Sequence, residues 1–66
     1  MNSNDQKKLT QAGYIIVRKD DTPTPRIKYK DKEYHEWQTL HKDFASKAAR
    51  DRKMAELLQS PLIIED

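Results

Sequence analysis

Residues 44–58 read FASKAARDRKMAELL, and every other segment of the chain takes its meaning from its place before or after them. Alanine, lysine, arginine, methionine, glutamate and leucine are strong helix formers, and such residues fill the chain from Ser46 to Gln59. Ser46 offers a side-chain oxygen to cap the first turn, Asp43 is an alternative cap, and Ser60-Pro61 stops the helix. On a helical wheel Ala48, Met54, Ala55 and Leu58 share a face with Phe44, and Leu57 flanks it. Asp51 falls inside that stripe. An unpaired buried charge is costly, so Asp51 is expected to pair with a lysine or arginine of the sheet or to lie at the edge of the core.

The segments before this helix are β-like. Gly13–Lys19 contains Tyr14-Ile15-Ile16-Val17, a run suited to a strand with both faces partly covered. Arg26-Ile27-Lys28-Tyr29-Lys30 alternates with the period of a half-buried strand, Ile27 and Tyr29 on one side and the basic residues on the other. Between them, Asp20 to Pro25 holds Pro23 and Pro25 and reads as a stiff loop too long for a tight hairpin turn. Glu33–Lys42 fits two templates. As a strand it sends His35, Trp37, Thr39 and His41 one way, with Tyr34, Glu36, Gln38 and Leu40 the other. As a helix it aligns Trp37, Leu40 and Phe44. Leu62-Ile63-Ile64 reads as a final edge strand or as an apolar tail folded onto the core.

The fold class expected from this order is α+β: a small two- to three-stranded antiparallel sheet packed against one C-terminal helix. Residues 1–8 read as a flexible tail and residues 9–66 as a single small domain. The expected core is Ile15, Val17, Ile27, Tyr29 and Trp37 facing the helix, with Trp37 as its largest anchor.

Apolar residues make up 35% of the 66 residues and charged residues 36%, so little material is left for a core. The chain has no cysteine, which excludes disulfides, thiolate chemistry and a Cys-based zinc site. MNSNDQKK carries no apolar stretch of the kind a signal peptide needs, and no run approaches a membrane span. The expectation is a cytoplasmic protein with no membrane partner.

No catalytic constellation is legible, and the chain is read as non-catalytic. With one glycine there is no Gly-rich phosphate loop. Ser46-Lys47 is a cap followed by a helix former. Glu33, His35, His41 and Asp43 are metal-capable, but their spacing matches no ligand motif, so no metal, no other cofactor and no small-molecule substrate is expected. Arg50, Arg52 and Lys53 read as a solvated helix face.

The candidate site is the face of the sheet turned away from the helix, with Arg18, Arg26, Lys28 and Lys30 as its cations beside Tyr14 and Ile16. Cations at alternate strand positions can neutralise phosphates. They also serve simply to solvate an exposed strand face. Two partner classes follow: nucleic acid held by the basic face, or a protein partner, a second copy of the chain included.

The order of strands and helix, with Phe44-Ala45-Ser46-Lys47 opening the helix and Gly13-Tyr14 opening the first strand, resembles the arm-type DNA-binding domain of tyrosine-recombinase integrases. In that family an aromatic residue, then Ser or Thr, then Lys leads from the last strand into the helix; Phe44, Ser46 and Lys47 hold those places. The likeness spans roughly residues 13 to 59. It implies a three-stranded sheet lying in the major groove, with Arg26, Lys28 and Lys30 on the reading face. In length and make-up the chain also resembles many short bacterial open reading frames.

Overall fold

A computed structural model describes residues 2–66 and shows an α+β architecture. In chain order it comprises α1 (Ser3–Gln11), β1 (Ile15–Asp20), β2 (Arg26–Lys30), β3 (Gln38–His41), α2 (Lys47–Leu57) and β4 (Ile63–Glu65). The four strands form one sheet in the order β3-β2-β1-β4. β1 pairs antiparallel with β2, and β2 with β3, whereas β4 runs parallel to β1. A parallel partner needs a crossover, and α2 supplies it by carrying the chain from the β3 edge to the opposite edge.

α2 therefore covers one face. Val17, Ile27 and Met54 are buried there, with Ile15, Tyr29, Phe44, Leu57, Leu58 and Ile63 packed around them. Each fully buried aliphatic side chain contributes about 1.5–3 kcal/mol relative to exposure, so this small cluster matters. Ser46 caps α2 as expected, its hydroxyl accepting from the Ala49 N–H at 3.1 Å. Asp43, the alternative cap, instead takes a positive φ of 62° in the approach to the helix.

Several expectations are corrected. The sheet is four-stranded and mixed, not two- to three-stranded and antiparallel, and a second helix precedes it. Residues 3–8 of the expected tail lie in α1, while Met1 lies outside the described residues. Asn2 caps α1 by accepting from the Asp5 N–H, and Gln6 and Thr10 are buried beneath it. Their partner is the face of the sheet that carries Ile16. That residue is wholly buried yet stands on the opposite side of β1 from Val17. Leu9 is the one large apolar residue among the nine of α1, so the sequence marks no apolar packing stripe there. The helix docks through polar side chains instead.

The inward stripe of α2 is also rotated. Arg50 and Met54 are buried, whereas Ala48, Asp51 and Ala55 are exposed. Arg50 is thus not part of a solvated face. Its guanidinium donates to the Asp20 carbonyl at 3.1 Å, to Asp51 Oδ1 at 3.1 Å and to the Asp21 carboxylate. Asp51 does meet a sheet lysine, with Lys19 Nζ at 3.8 Å, but it does so at the surface.

Trp37 is not a core anchor. It lies one residue before β3, half-buried and outside the α2 cluster, on the other side of the sheet. The register explains why Glu33–Lys42 misleads as a uniform strand. Ile27 pairs with His41 and Lys28 with Thr39, so Leu40 is an extra residue in a bulge. Across that bulge His41 turns to the α2 side, where it meets Phe44 edge-on at 6.4 Å, while Thr39 shares the opposite face with Lys28.

Candidate nucleic-acid interface

The β1–β2 register brings the four sequence-predicted cations onto one face. Arg18 pairs with Lys28, Asp20 with Arg26 and Ile16 with Lys30, and paired residues project to the same side of a sheet. This is the side away from α2, because Val17 and Tyr29, which alternate with these residues, pack against that helix. Trp37 joins the group. Arg18 Cζ lies 5.2 Å from the centre of its ring and Lys30 Nζ 4.7 Å.

The four cations are not equivalent. Lys30 donates to Gln6 Oε1 at 3.0 Å, and Gln6 in turn donates to Asp66 Oδ1 at 3.0 Å, which ties β2 to α1 and to the end of the chain. Lys28 Nζ sits 3.6 Å from Asp20 Oδ2. Arg26 bends onto the loop before it, donating to the Thr24 carbonyl and to Thr24 Oγ1, each at 3.1 Å. Arg18 is exposed and rests over Trp37. Asp20 is the acid of this face. The Thr22 N–H donates to its Oδ1 at 3.2 Å, and that bond, reinforced by Lys28, holds its carboxyl below the usual aspartate range.

α1 bounds this surface on one side. Between α1 and β2 lies a cleft of about 160 Å³, whose walls include Lys7, Lys30, Asp31 and His35. That volume is well under the roughly 300–1,000 Å³ of a small-molecule site, so the cleft extends a surface more naturally than it forms a pocket. The open part of the face is the stretch from Arg18 across Lys28 to Thr39 and Trp37. Tyr14, expected on this face, is half-buried ahead of β1 and lines a separate cleft with Thr10 and Lys32.

The metal-capable residues stay dispersed. His41 faces α2 through Phe44, whereas His35 lines the α1 cleft. Among the described residues no three His, Asp or Glu side chains gather to hold an ion. Among the described residues no helix is long and apolar enough to cross a membrane.

Sequence reasoning assigned Trp37 to the wrong face, weighed His35 only as a metal ligand and did not consider Lys7, and the last two line the cleft beside α1. A signal for Trp37 was present. Its neighbours two positions away, His35 and Thr39, are both polar, while the strand positions that face α2, Ile15 and Val17 or Ile27 and Tyr29, come in apolar pairs. Comparison of the chain with protein-family models, with curated proteins and with solved structures gave no match.

Proposed function

We propose that the protein is a small non-catalytic module that binds nucleic acid through the face carrying Arg18, Arg26, Lys28 and Lys30. The observation that supports this reading is their common register position beside Trp37 on the side α2 leaves open. Alternation of polar residues accounts for solvated cations, but not for a large aromatic side chain set among them. The β1-β2-β3-α2 order is also the one that the likeness to integrase arm-type domains implies, but α1 and β4 lie outside that likeness, and α1 packs on the very face that it would lay in the major groove. A reducing, cytoplasmic setting fits a chain without cysteine.

Each phosphate neutralised on B-DNA adds about 0.9 to the magnitude of the salt slope, so three or four contacts give a slope of roughly −3. Binding of that kind is weak and salt-sensitive. The test is titration of labelled DNA and RNA against the protein over a range of salt concentrations. Replacement of Arg18, Arg26 and Lys28 by glutamine leaves Lys30 in its bond to Gln6; Arg18 is exposed but Arg26 and Lys28 are half-buried, so a thermal melt checks that the variant keeps its fold. The variant is expected to bind more weakly with a flatter slope. Equal binding by variant and wild type rules out this face as the contact surface.

A protein partner is the second reading, favoured by the edges of the sheet. β3 and β4 each have one side without a strand neighbour, and Leu40, on the β3 edge, is 38% exposed. Concentration-dependent association in sedimentation, with no response to nucleic acid, would select it.

A further inference from the structure

We infer that Trp37 is a stacking platform for an unpaired base, so that the nucleic acid preferred by the basic face is single-stranded. The inference rests on the phosphate-binding reading above and adds to it the class of nucleic acid.

The first argument is steric. Sheet readout of a duplex requires the strands to enter a major groove about 12 Å wide. α1 packs on the same side of the sheet as the cations, held there by the buried Gln6 and its bond to Lys30. The groove admits one α-helix about 10–12 Å across or a two-stranded ribbon, so α1 and the strands beside it are together too broad to enter. A single strand needs no groove. It can lie along the open part of the face, over Trp37 and beside Arg18 and Lys28.

The second argument concerns what Trp37 touches. The Arg18 guanidinium and the Lys30 ammonium lie over its ring, and Trp37 is not among the side chains packed on the Val17, Ile27 and Met54 cluster. Arg18, the exposed one of the two cations, gains about a 2- to 5-fold factor in an equilibrium constant by lying over the ring. Stacking of a nucleobase on an aromatic side chain is worth roughly 5- to 150-fold. A base therefore displaces Arg18 from the ring at a net gain while Lys30 keeps its bond to Gln6, and the displaced guanidinium remains beside the phosphates that flank that base. In a duplex the bases are already stacked on both sides and offer Trp37 nothing.

Trp37 is the only tryptophan of the chain, so its fluorescence reports the contact directly. The probes are a short oligothymidylate and the same strand annealed to its complement. Expected results are quenching by the single strand, tighter binding of the single strand than of the duplex, and a roughly 5- to 150-fold loss of single-strand affinity in Trp37→Leu with the salt slope retained. Trp37→Phe keeps a stacking ring and is expected to recover most of that loss. Circular dichroism checks the fold of both variants; should Trp37→Leu unfold, wild-type quenching and the Phe variant decide. Duplex binding as tight as single-strand binding overturns the inference. So does an unchanged affinity in a folded Trp37→Leu variant, and in either case salt-dependent binding preserves the phosphate reading. Absence of binding by every probe at low salt overturns both.

Discussion

Arg50 reaches from α2 to the loop between β1 and β2, where one guanidinium meets the Asp20 carbonyl, the Asp21 carboxylate and the neighbouring Asp51. Its side chain is 6% exposed, while the two carboxylates remain about half in water. The planar fork of arginine can direct several N–H groups at once, whereas a lysine ammonium acts as a point charge on a flexible stem. Lys47 Nζ adds a second cation to Asp21 at 3.4 Å, but from an exposed position that contributes little. Arg50→Lys is therefore expected to lower the melting temperature, and Arg50→Ala to lower it further, with amide shifts concentrated in residues 20–25. Thermal melts and amide spectra check this. A wild-type melt in Arg50→Ala would remove the clasp from the account of stability.

At the scale of elements, the junction between α1 and β1 sets which part of the cationic face stays open. Ala12 and Gly13 close α1 with bonds from their N–H groups back to its last carbonyls, and the Tyr14 N–H donates to the Leu9 carbonyl at 3.0 Å. Gly13 holds φ at +100°, a conformation that L residues rarely adopt. A Cβ at this position would meet no atom within 4 Å, so crowding is not the obstacle. Gly13→Ala is expected to cost about 1–2 kcal/mol through backbone strain alone. Urea denaturation measures it, and hydrogen exchange should show α1 loosening first. A neutral effect would mean that the junction relaxes freely and that α1 is not held in place by this turn.

For the whole molecule, acid sensitivity follows from the carboxylates that join loop, sheet and helix. The hydrogen bond from Arg50, with the nearby charges of Lys47 and Arg50, lowers the Asp21 pKa from the usual 3.8; the Thr22 N–H and then Lys28 lower that of Asp20. A carboxyl with a lowered folded pKa binds fewer protons folded than unfolded, so stability rises with pH in that window. The contribution is complete above the unfolded value and disappears as pH falls from near 3.8 through the lower folded values. The urea midpoint is accordingly expected to fall on acidification through this range. Replacing both Asp20 and Asp21 by asparagine should lower the midpoint at neutral pH and flatten its acid limb. An acid limb unchanged in the double variant would assign the sensitivity to other groups.

The local features of the chain are those that periodicity and capping determine without help from distant residues. The helix after Ser46, the break at Pro23–Pro25 and the alternation that puts Arg26, Lys28 and Lys30 on one side of β2 rest on spacing within a few residues. Arg18, by contrast, joins that side only through the β1–β2 register. Tertiary structure alone decided the rest. A one-residue bulge at Leu40 changes which face each β3 side chain takes, and no local pattern marks it. α1 has a polar surface, and its docking depends on Gln6 meeting Lys30 and Asp66, which stand 24 and 60 residues away. The parallel pairing of β4 with β1 depends on α2 crossing the sheet. Trp37 and Arg50 exchanged their expected places for the same reason. An aromatic ring and a guanidinium each have an apolar part and a polar or cationic contact to satisfy, and only the assembled fold shows which surroundings satisfy both.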